Sequence, residues 1–371
     1  MKKEKKRRSF TEKEIEDNKI IYTQNFNPEY AISSVKNIFN FLSENYFRAK
    51  FVNFEKLPKR SNPKAPLIYV SNHSGMALPW DAMILKSQFL RMAKYNFKHA
   101  LRSIIARELV AMPFLEPYQL TKFWEVVGGI PGTMLNFETM MRYQGSNILI
   151  YPEGIGGIGK GFNKKYQLQP FSTSYLRMAL KYKTDIIPIY TINGEYLNPL
   201  SYSFKPLNKL VKKFGLPFLA LGPLPSMVPA APWLFYFAMP AKLTYIMGEP
   251  IKPYALLTHP YDEITEDEIK LCNSYIHHQM QKELDIYKEQ YGTAPYKISE
   301  IVSLVKKNSE KLMYLSPTGW PLLFHQHDKL FKEMNLDPDL ELNNGNFFKN
   351  IKKYKKAIEQ LIPYYGLKGF F

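Results

Sequence analysis

From residue 66 to residue 192 the chain alternates short continuous apolar runs with longer segments whose apolar residues recur at helical spacing. The runs Pro66-Leu67-Ile68-Tyr69-Val70, Asn147-Ile148-Leu149-Ile150-Tyr151 and Asp185 to Ile192 are rich in β-branched and aromatic residues, and each predicts a buried strand. Pro188 has no backbone N–H to donate, so its strand is expected at an edge or at a bulge. Val126-Val127 is expected to be a further strand, running into the turn Gly128-Gly129-Ile130-Pro131-Gly132-Thr133. Helices are expected over residues 82–125, interrupted near Pro113 and Pro117, over 134–143 with Gly145 as the stop, and over 173–183. This alternation predicts an α/β fold with a mostly parallel central sheet flanked by helices. Loops that follow the strand ends of such a sheet gather at one site. The loops at His73, Gly128 to Gly132 and Glu153 to Lys160 are therefore expected to meet.

On the N-terminal side, Ile32, Val35, Ile38, Phe39, Leu42 and Tyr46 give the segment 28–51 the stripe of an amphipathic helix. On the C-terminal side, 242–248 predicts another strand. Thr265 with Glu268 forms a capping box ahead of a helix whose stripe is Ile269, Cys272, Ile276 and Leu284. Residues 291–371 are punctuated by Pro317, Pro321, Pro338 and Gly345 and are expected to form a helical appendage. The expected organisation is a basic arm and amphipathic helix over 1–55, a catalytic domain over 56–290, and a helical C-terminal extension over 291–371.

Charge changes the picture of the flanks. Lys and Arg number 50 against 33 Asp and Glu, a net +17 that favours an anionic partner such as lipid headgroups, nucleic acid or a phosphorylated ligand. Met1 to Arg8 carries six of these cations with no apolar run behind it, as expected of a frayed arm or a lipid tether rather than a signal peptide or membrane anchor. Phe214 to Ala241 has no charge but six prolines, which rules out a spanning helix. That run is either buried irregular chain or a surface that dips into a bilayer through Trp233, Phe235, Tyr236 and Phe237. Near the C-terminus, Phe347, Phe348, Ile351, Tyr354, Ile358 and Leu361 oppose Lys349, Lys352, Lys353, Lys355 and Lys356. Such a helix can dock on the domain or lie on an anionic membrane. The single cysteine, Cys272, and the absence of a His-Glu-x-x-His pattern leave no disulfide framework and no expected metal.

The candidate chemistry lies at the exit of the first strand, in Asn72-His73-Ser74-Gly75-Met76-Ala77-Leu78-Pro79-Trp80-Asp81. A histidine displayed on such a loop can act as a general base near neutral pH, and a carboxylate can hold its imidazole in the required tautomer. A local hydrogen-bonded pair without catalysis is the plainer alternative. The run Gly154-x-x-x-x-Gly159-Lys160 matches most of a phosphate-binding loop, but Gly161 stands where a Ser or Thr must hold magnesium, and no helix is expected over 162–170. A nucleotide hydrolase is thereby set aside. A serine hydrolase is disfavoured too, since no Gly-x-Ser-x-Gly occurs in the chain.

Four blocks in fixed order resemble the lysophospholipid acyltransferase superfamily, the glycerolphosphate and lysophosphatidate acyltransferases. They are Asn72-His73 with Asp81, Gly128-Gly129-Ile130-Pro131-Gly132, Tyr151-Pro152-Glu153-Gly154, and Ile187-Pro188-Ile189. The resemblance implies transfer of a fatty acyl group from a coenzyme A or acyl-carrier-protein thioester to a hydroxyl of a lysophospholipid or glycerolipid, with no bound cofactor. It implies His73 as general base and Asp81 as its orienting partner. Asn72, Gly128, Gly129, Gly132, Glu153 and Gly154 fall in the blocks that bind substrate, with amides of the Gly128–Gly132 turn as possible donors to the thioester oxygen. The implied partners are anionic membrane lipids and the acyl donor, not nucleic acid, and the implied place is the cytoplasmic membrane surface. A catalytically silent lipid-binding module with the same fold is the competing reading. Three features depart from the family pattern. Seven residues, a longer gap than usual, separate His73 from Asp81. Ile155 and Gly156 stand where Thr and Arg usually follow Glu-Gly, which makes Lys160 the candidate for the missing charge and for reading an acceptor phosphate. The second block lacks its terminal Arg, which leaves Arg102, Arg107 or Arg142 as distant substitutes, or leaves the acceptor without a phosphate.

Overall fold

The computed structural model describes residues 9–75, 78–107, 120–211, 221–227, 234 and 236–334, with the single residues 342, 359, 362 and 368. Among the described residues seven strands form one sheet: β1 (Lys50–Val52), β2 (Ile68–Ser71), β3 (Leu101–Ile105), β4 (Ile130–Pro131), β5 (Asn147–Ile150), β6 (Ile186–Ile192) and β7 (Thr244–Met247). Their order is β1-β7-β6-β2-β5-β3-β4. Every pairing is parallel except β6 with β7. The helices used below are α1 (Glu12–Asp17), α2 (Pro28–Ser34), α3 (Trp80–Met92), α4 (Leu120–Val126), α5 (Met134–Met140), α6 (Ile155–Ile158), α7 (Ser174–Lys181), α8 (Lys205–Val211), α9 (Glu266–Tyr291), α10 (Ile298–Lys307) and α11 (Trp320–Glu333).

Successive side chains of a strand point to opposite faces, and here each face meets its own apolar layer. Tyr69, Leu149, Ile187, Ile189 and Tyr245 pack with Trp80 and Phe89 of α3, with Ile38, Phe39, Leu42 and Phe47, and with Trp320, Leu323 and Phe324 of α11. Ile68, Val70, Ile148, Ile150, Tyr190 and Ile246 pack instead with Phe137 and Met140 of α5, Leu176 and Ala179 of α7, and Ile269, Ile276 and Leu284 of α9. Burial on both faces is why the strand sequences are continuously apolar. The helix that continues α2 is wound as π-helix over Val35–Phe39 and Leu42–Tyr46.

Several expectations need correction. The segment 82–125 is not helical throughout, because Leu101–Ile105 is a strand between β5 and β4. Its Arg102 is buried, with Nη1 donating to Tyr22 O at 2.7 Å and its guanidinium 4.4 Å from the Phe26 ring, so a charged residue sits inside a strand that composition disguises. Val126 ends helix α4, and the strand beyond it is only Ile130–Pro131. Pro188 is not at an edge, since β6 has neighbours on both sides. It lies at a bulge: Ile189 pairs with Met247 but Ile186 with Ile251, so three residues of the partner oppose two. Lys50–Val52, inside the expected N-terminal arm, is a strand pairing with β7. The basic arm 1–8, Trp233 and Phe235, and the helix expected over 347–361, apart from Glu359, lie outside the described residues. Tyr236 is within them and is buried, its carbonyl accepting Trp80 Nε1–H at 3.0 Å. Among the described residues no helix is long and apolar enough to cross a membrane.

Candidate active site

The site is built where β2 and β5, adjacent and parallel, deliver their loops to the same edge of the sheet. Asn72 is the first residue past β2, and its amide imitates a strand rung. Nδ2 donates to Thr191 O at 2.9 Å, and Thr191 N donates to Oδ1 at 2.7 Å. Asn72 is fully buried, so it pins the start of the loop to β6 rather than facing a substrate.

His73 follows, with one tenth of its side chain exposed. Its Nδ1 lies 2.7 Å from Asp81 Oδ2. The loop that spans the long gap folds back so that Asp81, in the first turn of α3, faces the imidazole. Asp81 has no solvent exposure; its Oδ2 also accepts Ser74 N at 3.2 Å, and its Oδ1 accepts Ala82 N at 2.8 Å. A proton on Nδ1 satisfies the carboxylate, and that tautomer leaves Nε2 as the nitrogen able to take a proton.

Glu153 comes from the loop after β5 and is buried. Oε1 accepts His73 N at 2.9 Å and Oε2 accepts Gln169 N at 2.6 Å, so one carboxylate ties three chain segments together. Burial raises its pKa, against the opposing pull of Lys160 and the two amides. Gly154 starts the short helix α6 from a left-handed conformation, φ +53°. Gly157 in that helix is required by close approach, since a Cβ there would come within 3.0 Å of His73 Cβ and 2.7 Å of Glu153 Cβ.

Lys160 is corrected from a free phosphate reader to a buried partner. Its Nζ lies 2.9 Å from Glu195 Oε1, with 1% and 2% of the two side chains exposed. The contact is an ion pair rather than an aligned hydrogen bond, and Glu195 Oε1 also accepts Tyr166 N at 3.0 Å. Burial works to lower the Lys160 pKa, but Glu195 and then Glu153 reverse this, and the net direction is upward. Arg142 is similarly engaged, Nη2 donating to Glu12 Oε1 at 2.8 Å.

The Gly128–Gly132 turn does not join the others. β4 is separated from β2 by β5 and β3, about 14 Å at ordinary strand spacing. Gly128 N donates to Glu125 O, Gly129 N to Trp124 O and Gly132 N to Ile105 O. Those amides close α4 and the β3–β4 pair, which leaves them unable to act as donors to a thioester oxygen. Gly129 has a packing reason as well, because a Cβ would fall 2.6 Å from Trp124 O.

Two residues of the site carry no role in the sequence reading: Tyr151, which only heads the third block, and Glu195. Tyr151 places its ring 4.2 Å from that of His73 at 30°, and burial followed by the nearby Asp81 pushes its hydroxyl pKa up. Its signals in the sequence are its place at the end of an apolar strand and at the head of the Tyr151-Pro152-Glu153-Gly154 block. Glu195 lies in the turn Gly194–Leu197 after β6, and nothing in its neighbourhood announces Lys160 as partner.

Residues 48–192 match the family model described as Acyltransferase. Uncharacterized proteins of Mycobacterium tuberculosis (strain ATCC 25618 / H37Rv) and Mycobacterium leprae (strain TN) are similar in sequence. The first is 27% identical over 229 residues, 61% of this chain and 58% of its own. The second is 28% identical over 230 residues, 61% of this chain and 57% of its own. The match thus spans little more than half the length of these relatives. Among solved structures, the 1-acyl-sn-glycerophosphate (LPA) acyltransferase of Thermotoga maritima overlaps 68% of this chain and 79% of its own, with 15% identity and a TM-score of 0.35, too loose an overlap to bear on substrate or mechanism.

Proposed function

We propose, from the match of residues 48–192 to the Acyltransferase family model, that the chain transfers a fatty acyl group from a coenzyme A or acyl-carrier-protein thioester to a lipid hydroxyl. The observation that carries the mechanism is the 2.7 Å contact of His73 Nδ1 with the buried Asp81 carboxylate, at the end of a strand. In the proposed step, His73 Nε2 removes the proton as the acceptor oxygen attacks the thioester carbon. The C–S bond breaks as the new C–O bond forms, and the proton passes from His73 to the departing thiolate. Asp81 holds the ring and stabilises the imidazolium that exists between the two transfers. No acyl-enzyme is needed.

Glu153 serves this reading by position and not by touching the acceptor, because it is buried and each of its oxygens is turned to a backbone amide. The acceptor is a lysophospholipid or a related glycerolipid alcohol. The test is release of free thiol from an acyl-coenzyme A by the purified chain, with and without a lysolipid. Release that requires the lysolipid and disappears in His73→Ala supports transfer. Release without any lysolipid would mean a thioesterase, and no release under either condition with a panel of donors and acceptors would favour a binding module.

A further inference from the structure

The edge of the sheet that holds His73 also gathers segments from outside the 48–192 domain. Strand β7 runs antiparallel to β6, with Ile192 opposite Thr244, and parallel to β1, with Thr244 opposite Lys50. The residues just after β6 and just before β7 and β1 therefore lie at the same end as the loops after β2 and β5. At that end Tyr296 Oη donates to Tyr196 O at 2.5 Å, and Lys242 N donates to Pro295 O at 2.8 Å. Asn198 Nδ2 donates to Gly75 O, two residues from His73. The start of α10 and the chain after Leu197 are thus fastened together beside the catalytic loop.

From this junction two apolar surfaces face water. Leu200, Tyr202 and Phe204 are 48%, 37% and 53% exposed. In α10, Ile298, Val302 and Val305 are 74%, 46% and 41% exposed. At 3.6 residues per turn these three fall within an arc of about 60°. Ile301 and Leu304, both half-buried, lie to one side of that arc, the side by which the helix packs. Helix α10 is therefore amphipathic with its apolar stripe turned outward, the reverse of a helix that only covers a core. The charge bordering the stripe is cationic: Lys297 and Lys306 are exposed, Lys306 about 40° beyond Val302 around the helix, while Lys307 falls on the opposite side. The acid within α10, Glu300, is held by Arg48, Lys242 and Lys297.

We propose that this edge docks on an anionic lipid bilayer, with Ile298, Val302 and Val305 of α10 and the Leu200–Phe204 segment entering the headgroup layer and Lys306, which borders the stripe, meeting a lipid phosphate. An apolar stripe flanked by Lys306 on one side and Lys297 at its start fits an anionic interface better than a protein partner, whose contact would have to leave those lysines desolvated or matched one by one. The proposal stands whether or not the chain transfers acyl groups. If it does, the surface lies at the same end of the sheet as His73, so a lipid acceptor would enter from the membrane.

The experiment is sedimentation of the full chain with phosphatidylcholine vesicles and with vesicles that also contain phosphatidylglycerol. The wild type is expected to bind the mixed vesicles, and less so as salt is raised. The triple variant Ile298→Ser, Val302→Ser, Val305→Ser is expected to lower partition about ten-fold. Lys306→Gln is expected to lower it on the mixed vesicles alone, and Lys307→Gln, on the opposite face of α10, to lower it less. A matched control is the exposed stripe of α9, in which Leu271→Ser, Tyr275→Ser and Ile286→Ser should leave partition unchanged. Circular dichroism checks folding, and Ile298→Ser alone, at the most exposed of these positions, replaces the triple variant if that one is unfolded. No binding by the wild type, an equal loss in the α9 control, or a dimer that the α10 variant dissociates without any vesicle binding would each overturn the proposal.

Discussion

Two buried histidines sit in two layers of this molecule, and their surroundings assign them opposite tasks. His73 is on a loop at the end of β2, with a carboxylate 2.7 Å from Nδ1 and a tyrosine ring against its face. His327 is inside α11, with Nε2 2.9 Å from Ser33 Oγ, Nδ1 unpartnered, and the rings of Tyr30 and Phe331 around it. Burial lowers the His327 pKa to about 4, against the opposing pull of Asp328, so this ring stays neutral at any ordinary pH. A base must accept a proton and hold it briefly, which needs a carboxylate to stabilise the cation and a route for substrate. Burial by itself provides neither. What separates the two is the position of Asp81 at the start of α3, where the loop returns to the ring, and not the residue type.

The largest effect that would break this contrast is in the rate. His73→Ala should leave the fold intact and reduce acyl transfer by about 100-fold to 10,000-fold, the usual range for losing a general base. Asp81→Asn should cost less, because the base remains and only its orientation and cation stabilisation suffer. Steady-state rates of thiol release compare the two. If His73→Ala keeps most of its activity, the loop histidine is no more a base than His327. A silent Asp81→Asn would instead remove the carboxylate from the mechanism.

Next in size is Lys160. Replacing it with Met leaves Glu195 buried and unpaired, and half-broken buried pairs cost roughly 3–5 kcal/mol. Lys160→Met should therefore lower the midpoint of denaturant unfolding without selectively raising KM for a phosphorylated acceptor. A stable variant with a KM defect confined to phosphorylated acceptors would restore Lys160 as the reader of that group.

These outcomes bear on what sequence can disclose. The central strands were legible because burial on both faces makes them continuously apolar, and the capping box of α9 was legible because Thr265 and Glu268 need only each other. Strand β3 was hidden by Arg102, whose charge is accommodated by carbonyls of Tyr22 and Gly128, far away in sequence. His73, Asp81 and Glu153 stand in short local motifs and could be named in advance. The Lys160–Glu195 pair and the engaged amides of the Gly128–Gly132 turn could not, since each depends on how strands order themselves across the sheet. A glycine-rich turn announces close backbone approach; which atoms approach is a matter of topology.

The smallest effect concerns stability in acid. His327 has a folded pKa of about 4 and an ordinary value of 6.5. The unfolded chain therefore binds the proton first as pH falls. Stability from this residue is complete above 6.5 and is lost progressively as pH drops towards 4, at about 1.4 kcal/mol per pH unit and roughly 3 kcal/mol in all. His327→Leu gives up the Ser33 contact, so it should be somewhat less stable at neutral pH, but its unfolding free energy should decline less steeply between pH 6.5 and 4 than that of the wild type. Urea unfolding followed by tryptophan fluorescence at a series of pH values measures both slopes, and Trp320 at the head of the same helix reports the local packing. Parallel slopes would show that burial does not depress the His327 pKa, and the packing around this ring would then not be what keeps it neutral.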